Sequence, residues 1–183
     1  MSQKQDTLRL FIAVPLPSSV KEALQQWVSS HKHQLSFRKW THPEDYHITL
    51  QFLGDTSQEQ YEQLCQALAS VKLSPFQLQL NELGSFGSKQ APRILWAGLS
   101  GDLPALQQLQ QQVVANSGFQ AEERSYRPHI TIARYYEGKQ PFQAAALADG
   151  LPPLAWQVDQ FTIMRTGLGN IPMYTTLKSF KGS

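Results

Sequence analysis

A chain of 183 residues, 41% hydrophobic and 16% charged, can build one sizeable core or two intimate lobes but not several independent domains. Its formal net charge of +2 tolerates a phosphate-bearing partner and argues against the dense Lys/Arg face of a duplex binder. The single cysteine, Cys65, excludes an internal disulfide and a multi-cysteine metal site, as suits a reducing compartment. Residues 1–7 are polar and lack the apolar core of a signal peptide, and no apolar run approaches membrane-spanning length. The expectation is one cytoplasmic domain over residues 1–183, with a loose start at 1–7 and no membrane partner.

In chain order, Leu8 to Val14 reads as a buried strand stopped by Pro15 and Pro17. Ser19 and Glu22 suggest a capping box for a helix whose Val20, Ala23, Leu24, Trp27 and Val28 recur at helical spacing. Phe37 to Trp40 is a short strand, Thr41 to Asp45 a turn, and a further strand runs from Tyr46 to Leu53, ending at Gly54 and Asp55. Ser57 and Gln60 open a second helix with Tyr61, Leu64, Cys65 and Leu68 inward. Phe76–Leu80 and Arg93–Ala97 read as partner strands around a turn-rich loop, Gly84 to Lys89. A third helix follows from about Pro104, with Leu106, Leu109 and Val113 inward and a stop at Gly118. Another strand ends at Ala133 and Arg134, a short helix spans Phe142 to Ala148, and strands at 154–165 and 173–180 flank a turn at 167–170. Interspersed helices and tightly joined strands imply an α+β fold with largely antiparallel sheet.

Two of those strands carry the same words. Tyr46-His47-Ile48-Thr49-Leu50 is repeated as Pro128-His129-Ile130-Thr131-Ile132, with the histidines 82 positions apart. Period-two alternation sends Ile48 and Leu50 into the core and His47 and Thr49 out of the opposite face, about 6.7 Å apart, or two rises of roughly 3.3 Å. The second copy presents His129 and Thr131 in the same way. The simplest arrangement is therefore two similar lobes, facing each other across a cleft, each offering a His and a Thr.

An imidazole titrates near neutrality, so one copy can be protonated while the other is not. That pair is the minimum equipment for concerted general acid–base catalysis. In-line displacement at phosphorus needs one such group on each side of the atom, and the threonine hydroxyls can donate to the oxygens between them. Without a convincing metal cluster, a reactive cyclic phosphodiester suits such a site better than an inert monoester.

With these residues in place the chain resembles the two-histidine phosphoesterases, and within them the RNA 2′,3′-cyclic phosphodiesterases also called 2′-5′ RNA ligases. Arg9-Leu-Phe-Ile-Ala-Val14 with Pro17 resembles the family's opening strand, and Trp40 with Pro43 to Leu50 and Phe52-Leu-Gly54 its first motif. Tyr126 to Arg134 resembles its second motif, and Tyr174 to Leu177 its last strand; Thr166 stands where many relatives have serine. The resemblance implies a bilobal α+β fold: two mainly antiparallel sheets related by a pseudo-twofold axis, outer helices and a positive central cleft. It implies opening of a terminal 2′,3′-cyclic phosphate to a 2′-phosphate with no metal or cofactor. His47 would donate a proton to the departing 3′ oxygen and His129 would activate water; a 5′-hydroxyl in place of water would make a 2′-5′ linkage. The implied partner is an RNA or oligonucleotide with a cyclic phosphate end, bound by a monomer, and Arg134 matches an arginine near phosphate or base.

Against these readings stand plainer ones. A lone His-x-Thr strand is usually structural, and only the duplication reverses that. Zinc is the main chemical rival, but two histidines leave its ligand set short. Thr49 and Thr131 could serve strand propensity alone, and Arg127 and Arg134 could be solvated. Phe11 has the chemistry to stack on a base, yet its strand needs core residues. His31, His33 and His42 read as surface residues and Cys65 as a core thiol. A non-catalytic RNA-end binder, or the same chemistry on another cyclic or 2′-5′ linked nucleotide, completes the alternatives.

Overall fold

The computed structural model describes residues 6–183, so the expectation for the first five residues lies outside it. Asp6 and Thr7 are exposed and irregular, and the first strand, β1, follows at Leu8–Pro15. Helix α1 spans Ser18–His31 and buries Val20, Leu24 and Trp27. The expected Ser19–Glu22 capping box does not form. Pro17 holds extended φ and ψ, and its carbonyl accepts from the Val20 and Lys21 N–H groups, so the helix begins two residues earlier.

Strand β2, Phe37–Trp40, and a 3₁₀ turn at Pro43–Asp45 lead into β3, His47–Thr56. The capping box expected for α2, Gln58–Leu68, is present: Ser57 Oγ accepts from Gln60 N–H and Gln60 Oε1 accepts from Ser57 N–H. Strands β4, Phe76–Gly87, and β5, Pro92–Gly101, form a hairpin longer than its sequence suggested. A register shift between Leu80 and Leu83 bends β4, which then re-pairs as far as Gly87, so most of the expected loop is strand. Gly84 is required there, because a Cβ would fall 2.3 Å from the Trp96 ring. Helix α3, Leu103–Ser117, buries Leu106, Leu109 and Val113 and stops at Gly118, whose φ of +75° is left-handed.

Strand β6, Ile130–Tyr136, carries the second motif. The expected helix at 142–148 is only a 3₁₀ turn, Ala144–Leu147. The expected strand at 154–165 is broken at Asp159 into β7, Ala155–Val158, and β8, Gln160–Thr166, and the last strand, β9, is Tyr174–Lys181. Their partners explain the break: β7 pairs with β4, whereas β8 lies between β1 and β9. At Asp159 the chain passes from one half of the molecule to the other.

The strand order is β7-β4-β5-β6-β3-β1-β8-β9, with β2 also on β6, and every pairing is antiparallel. The expected two sheets are thus joined edge to edge, and the join is a single residue pair, Ile48 with Ile130. These are the matching residues of the two motif copies. An antiparallel pair of equivalent residues has a local twofold axis between its members, so the pseudo-symmetry axis passes through this contact. Leu10, Ile12 and Val14 of β1, Ile48 and Leu50 of β3, and Ile130 and Ile132 of β6 belong to one apolar core with the helix stripes.

Candidate active site

Paired residues on neighbouring strands share a face. Ile48 and Ile130 are fully buried, so the residues on either side of each, His47, Thr49, His129 and Thr131, turn to the opposite face, away from that core. The four site residues expected from the repeat are thereby gathered around one contact point, all half-buried.

Each histidine is anchored alike. His47 Nδ1 lies 2.7 Å from the Asp45 carbonyl and His129 Nδ1 lies 2.7 Å from the Arg127 carbonyl. A carbonyl oxygen only accepts, so both Nδ1 atoms carry hydrogen and both neutral rings keep a lone pair on Nε2. At that atom the two copies part. His47 Nε2 accepts from the Thr49 hydroxyl at 2.9 Å, whereas His129 Nε2 makes no hydrogen bond among the described residues.

Their surroundings differ too. His47 is boxed by Phe11, with ring centroids 4.9 Å apart, and by Tyr174, edge-on at 5.2 Å. Burial lowers its pKa from 6.5 to about 4; the Asp45 carbonyl bond and carboxylate oppose this, and the charges of His129 and Arg134 add to it. Burial also lowers His129, with Arg134 adding to the effect and the Arg127 carbonyl opposing it. Arg134 thus acts on both imidazoles, and it makes no hydrogen bond or ion pair among the described side chains. It is a half-buried cation placed beside two neutral bases.

Phe11 is 3% exposed, which leaves almost no ring face for a base. Of its two sequence readings the packing role is the one this burial fits: its ring backs His47 and meets Tyr174 at 4.8 Å. Arg127 is exposed, its guanidinium 5.8 Å from the Phe86 ring centre, and Phe86 in turn meets His129 edge-on at 5.0 Å. His31 caps its own helix and meets Asp149 at 3.0 Å, and His33 and His42 are exposed.

Three contributors escaped the sequence. Asp45 is buried, and its carboxylate accepts from the backbone N–H groups of Met173 and Tyr174 at 2.8 and 3.1 Å, fastening the start of β9 beside His47. Tyr126 donates its hydroxyl to the Thr49 carbonyl at 2.8 Å, tying the segment before β6 to β3. Phe86 lay in the stretch read as a loop. Only strand parity pointed to Asp45, which lies two residues before His47 as Arg127 lies two before His129.

Among the described residues no three His, Cys, Asp or Glu side chains cluster as a metal-binding group would require, and no helix is long and apolar enough to cross a membrane. The arrangement can hold a small anion between two imidazoles, two hydroxyls and one guanidinium.

Comparison with known proteins agrees with this geometry. The family model described as LigT like phosphoesterase matches residues 14–96 and 99–174. The RNA 2′,3′-cyclic phosphodiesterase of Geobacillus stearothermophilus is 42% identical over 177 residues, covering 93% of this chain and 56% of that protein. The chain therefore spans little more than half of that relative's length. The protein of the same name from Bacillus subtilis is 31% identical over 175 residues, covering 93% of this chain and 94% of its own. E. coli LigT complexed with 3′-AMP superimposes with a TM-score of 0.79 at 25% identity, covering 97% and 99% of the two chains. A Thermus thermophilus structure does so with a TM-score of 0.74 at 26% identity, covering 95% and 97%. The family suggested by the repeated His-Ile-Thr strands is the family matched: the chain belongs to the LigT-like phosphoesterases, the two-histidine group.

Proposed function

We propose that this protein is a metal-independent RNA 2′,3′-cyclic phosphodiesterase that opens a terminal cyclic phosphate to a 2′-phosphate. One observation carries the reading: two imidazoles from distant copies of one motif flank a shared contact, each with Nδ1 tied to backbone, with His47 Nε2 held by the Thr49 hydroxyl and His129 Nε2 left open among the described residues. His129, whose Nε2 lone pair is unengaged, takes a proton from water as its oxygen attacks phosphorus. The bond from phosphorus to the 3′ oxygen breaks, and that oxygen takes the proton carried by His47 Nε2. Thr49, Thr131 and Arg134 offset the charge that builds on the non-bridging oxygens.

His47 is neutral near pH 7 in the free protein, so it must gain its proton with the substrate. A phosphate anion set between the rings favours that, because it replaces the solvation that burial removed and adds an opposite charge. A 5′-hydroxyl arriving in place of water turns the same steps into 2′-5′ ligation. The partner is a cyclic-ended RNA or oligonucleotide, bound by a monomer; the lone thiol, Cys65, fits a cytoplasmic setting.

The test is a short RNA with a 2′,3′-cyclic phosphate, incubated with the protein in excess chelator and resolved into 2′- and 3′-phosphate products. Accumulation of the 2′-phosphate is expected. Tight binding without product over hours would instead identify a non-catalytic end binder, and activity that chelator abolishes would contradict the metal-free mechanism.

A further inference from the structure

We infer that Lys39 forms a second phosphate subsite, which takes the phosphodiester on the 5′ oxygen of the terminal nucleotide while the reacting phosphate lies between the histidines. The inference rests on the function proposed above and concerns how much of the RNA chain the cleft holds.

Lys39 is placed by its strand partner. β2 runs antiparallel to β6, with Trp40 opposite Ala133 and Lys39 opposite Arg134. Ala133 is fully buried and Trp40 packs against the core, so the neighbouring pair, Lys39 and Arg134, turns to the other face. That is the face of His129 and Thr131. The row continues across the sheet, because Arg134 is opposite Ile94 of β5 and Ile94 is opposite Phe86 of β4. It therefore reads Lys39, Arg134, Ile94, Phe86, and holds two cations and no carboxylate.

Like charges directly opposite each other on neighbouring strands repel, and such pairs destabilise a sheet. One residue earlier in β2 the chain supplies an acid: Arg38 meets Glu137 at 3.0 Å and lies over the Tyr135 ring. Lys39 is exposed and, like Arg134, makes no ion pair among the described side chains. An anion on each head removes the repulsion. The two heads serve different anions, because Arg134 acts on both imidazoles and Lys39 on neither. Arg134 therefore stands at the reacting phosphate. Lys39 stands one strand away, about 4.8 Å at the backbone, with a long stem that lets its charged head diverge. The next anion of a cyclic-ended RNA is one ribose from the reacting phosphorus, in the diester that joins the terminal nucleotide to the one before it. Lysine binds phosphate as a point charge on a flexible stem, which holds a passing backbone without reading its sequence.

The experiment compares adenosine 2′,3′-cyclic phosphate with the same nucleotide carrying a methyl phosphodiester on its 5′ oxygen. Both are assayed at low and high salt with the parent protein, Lys39→Ala and Lys39→Arg, and thermal unfolding is measured for all three. The parent should favour the diester-bearing substrate by about three- to fivefold in KM at low salt, the upper range for one exposed charge pair, and lose that preference as salt rises. Lys39→Ala should bring the preference to one, and Lys39→Arg should keep it. A parent with no preference, a preference that survives Lys39→Ala, or an equal loss on both substrates would overturn the inference. A parent protein that opens neither cyclic phosphate would instead refute the phosphodiesterase reading itself.

Discussion

The two copies of the motif hold their histidines by the same backbone bond and then treat them differently. His47 sits between Phe11 and Tyr174, engaged by Thr49, with the buried carboxylate of Asp45 two residues before it. Among the described residues His129 is backed by the Phe86 ring alone and its Nε2 is unengaged, and Arg127 occupies the position of Asp45. A duplicated strand therefore supplies geometry, and its neighbours supply the chemical difference. The copy beside a carboxylate is suited to hold a proton once an anion arrives, and the copy beside an arginine is suited to stay neutral and accept one.

Removing either imidazole of this pair is the most severe way to test that division. His47→Ala and His129→Ala should each lower kcat on a cyclic-ended RNA by at least about 10²- to 10⁴-fold, the range for one positioned acid or base, with thermal unfolding still cooperative. Full turnover by either variant would end the two-histidine account. Next comes the charge the two copies share. Arg134→Ala should cost about ten- to hundredfold in kcat/KM, as expected for losing a charge-assisted bond to phosphate. It should also ease the downward pressure on both histidine pKa values, which an NMR titration of the imidazoles would read.

The third contrast is one of stability. An unfolded histidine binds its proton near pH 6.5, whereas folded His47 binds it only near pH 4, so the unfolded chain is protonated first as pH falls. Stability from this source is intact above about pH 6.5 and is lost toward pH 4, with about 2 kcal/mol gone by pH 5. His129 adds to the loss with the same sign. Denaturant titrations at pH 7 and pH 5 should show this decline in the parent and a smaller one in His47→Gln. The mildest test is Tyr126→Phe, which removes the hydroxyl's bond to the Thr49 carbonyl and should cost about 1 kcal/mol in the same assay.

Much of this was legible before any coordinates. His47, Thr49, His129 and Thr131 share a face because strands alternate, and the duplication made that alternation informative. The capping box at Ser57 and the stop at Gly118 are local chemistry, and both formed where the residues said. What could not be read depends on partners remote in sequence. The break at Asp159 exists because the flanking strands pair in different halves. The bulges at Leu50 and Ile132 exist only as mismatches in register against β1 and β5. Asp45 reads as a turn residue until Met173 and Tyr174 arrive from the far end of the chain.

The central claim is that both rings close on one phosphorus with unlike protonation. It is tested most directly by following the imidazole nitrogens of His47 and His129 by NMR while a nucleoside 2′-phosphate, the expected product, is added at pH 7. The account predicts that both side chains respond to the same ligand at one affinity, and that His47 gains a proton as it binds. A response from one ring alone, or from neither, would contradict it.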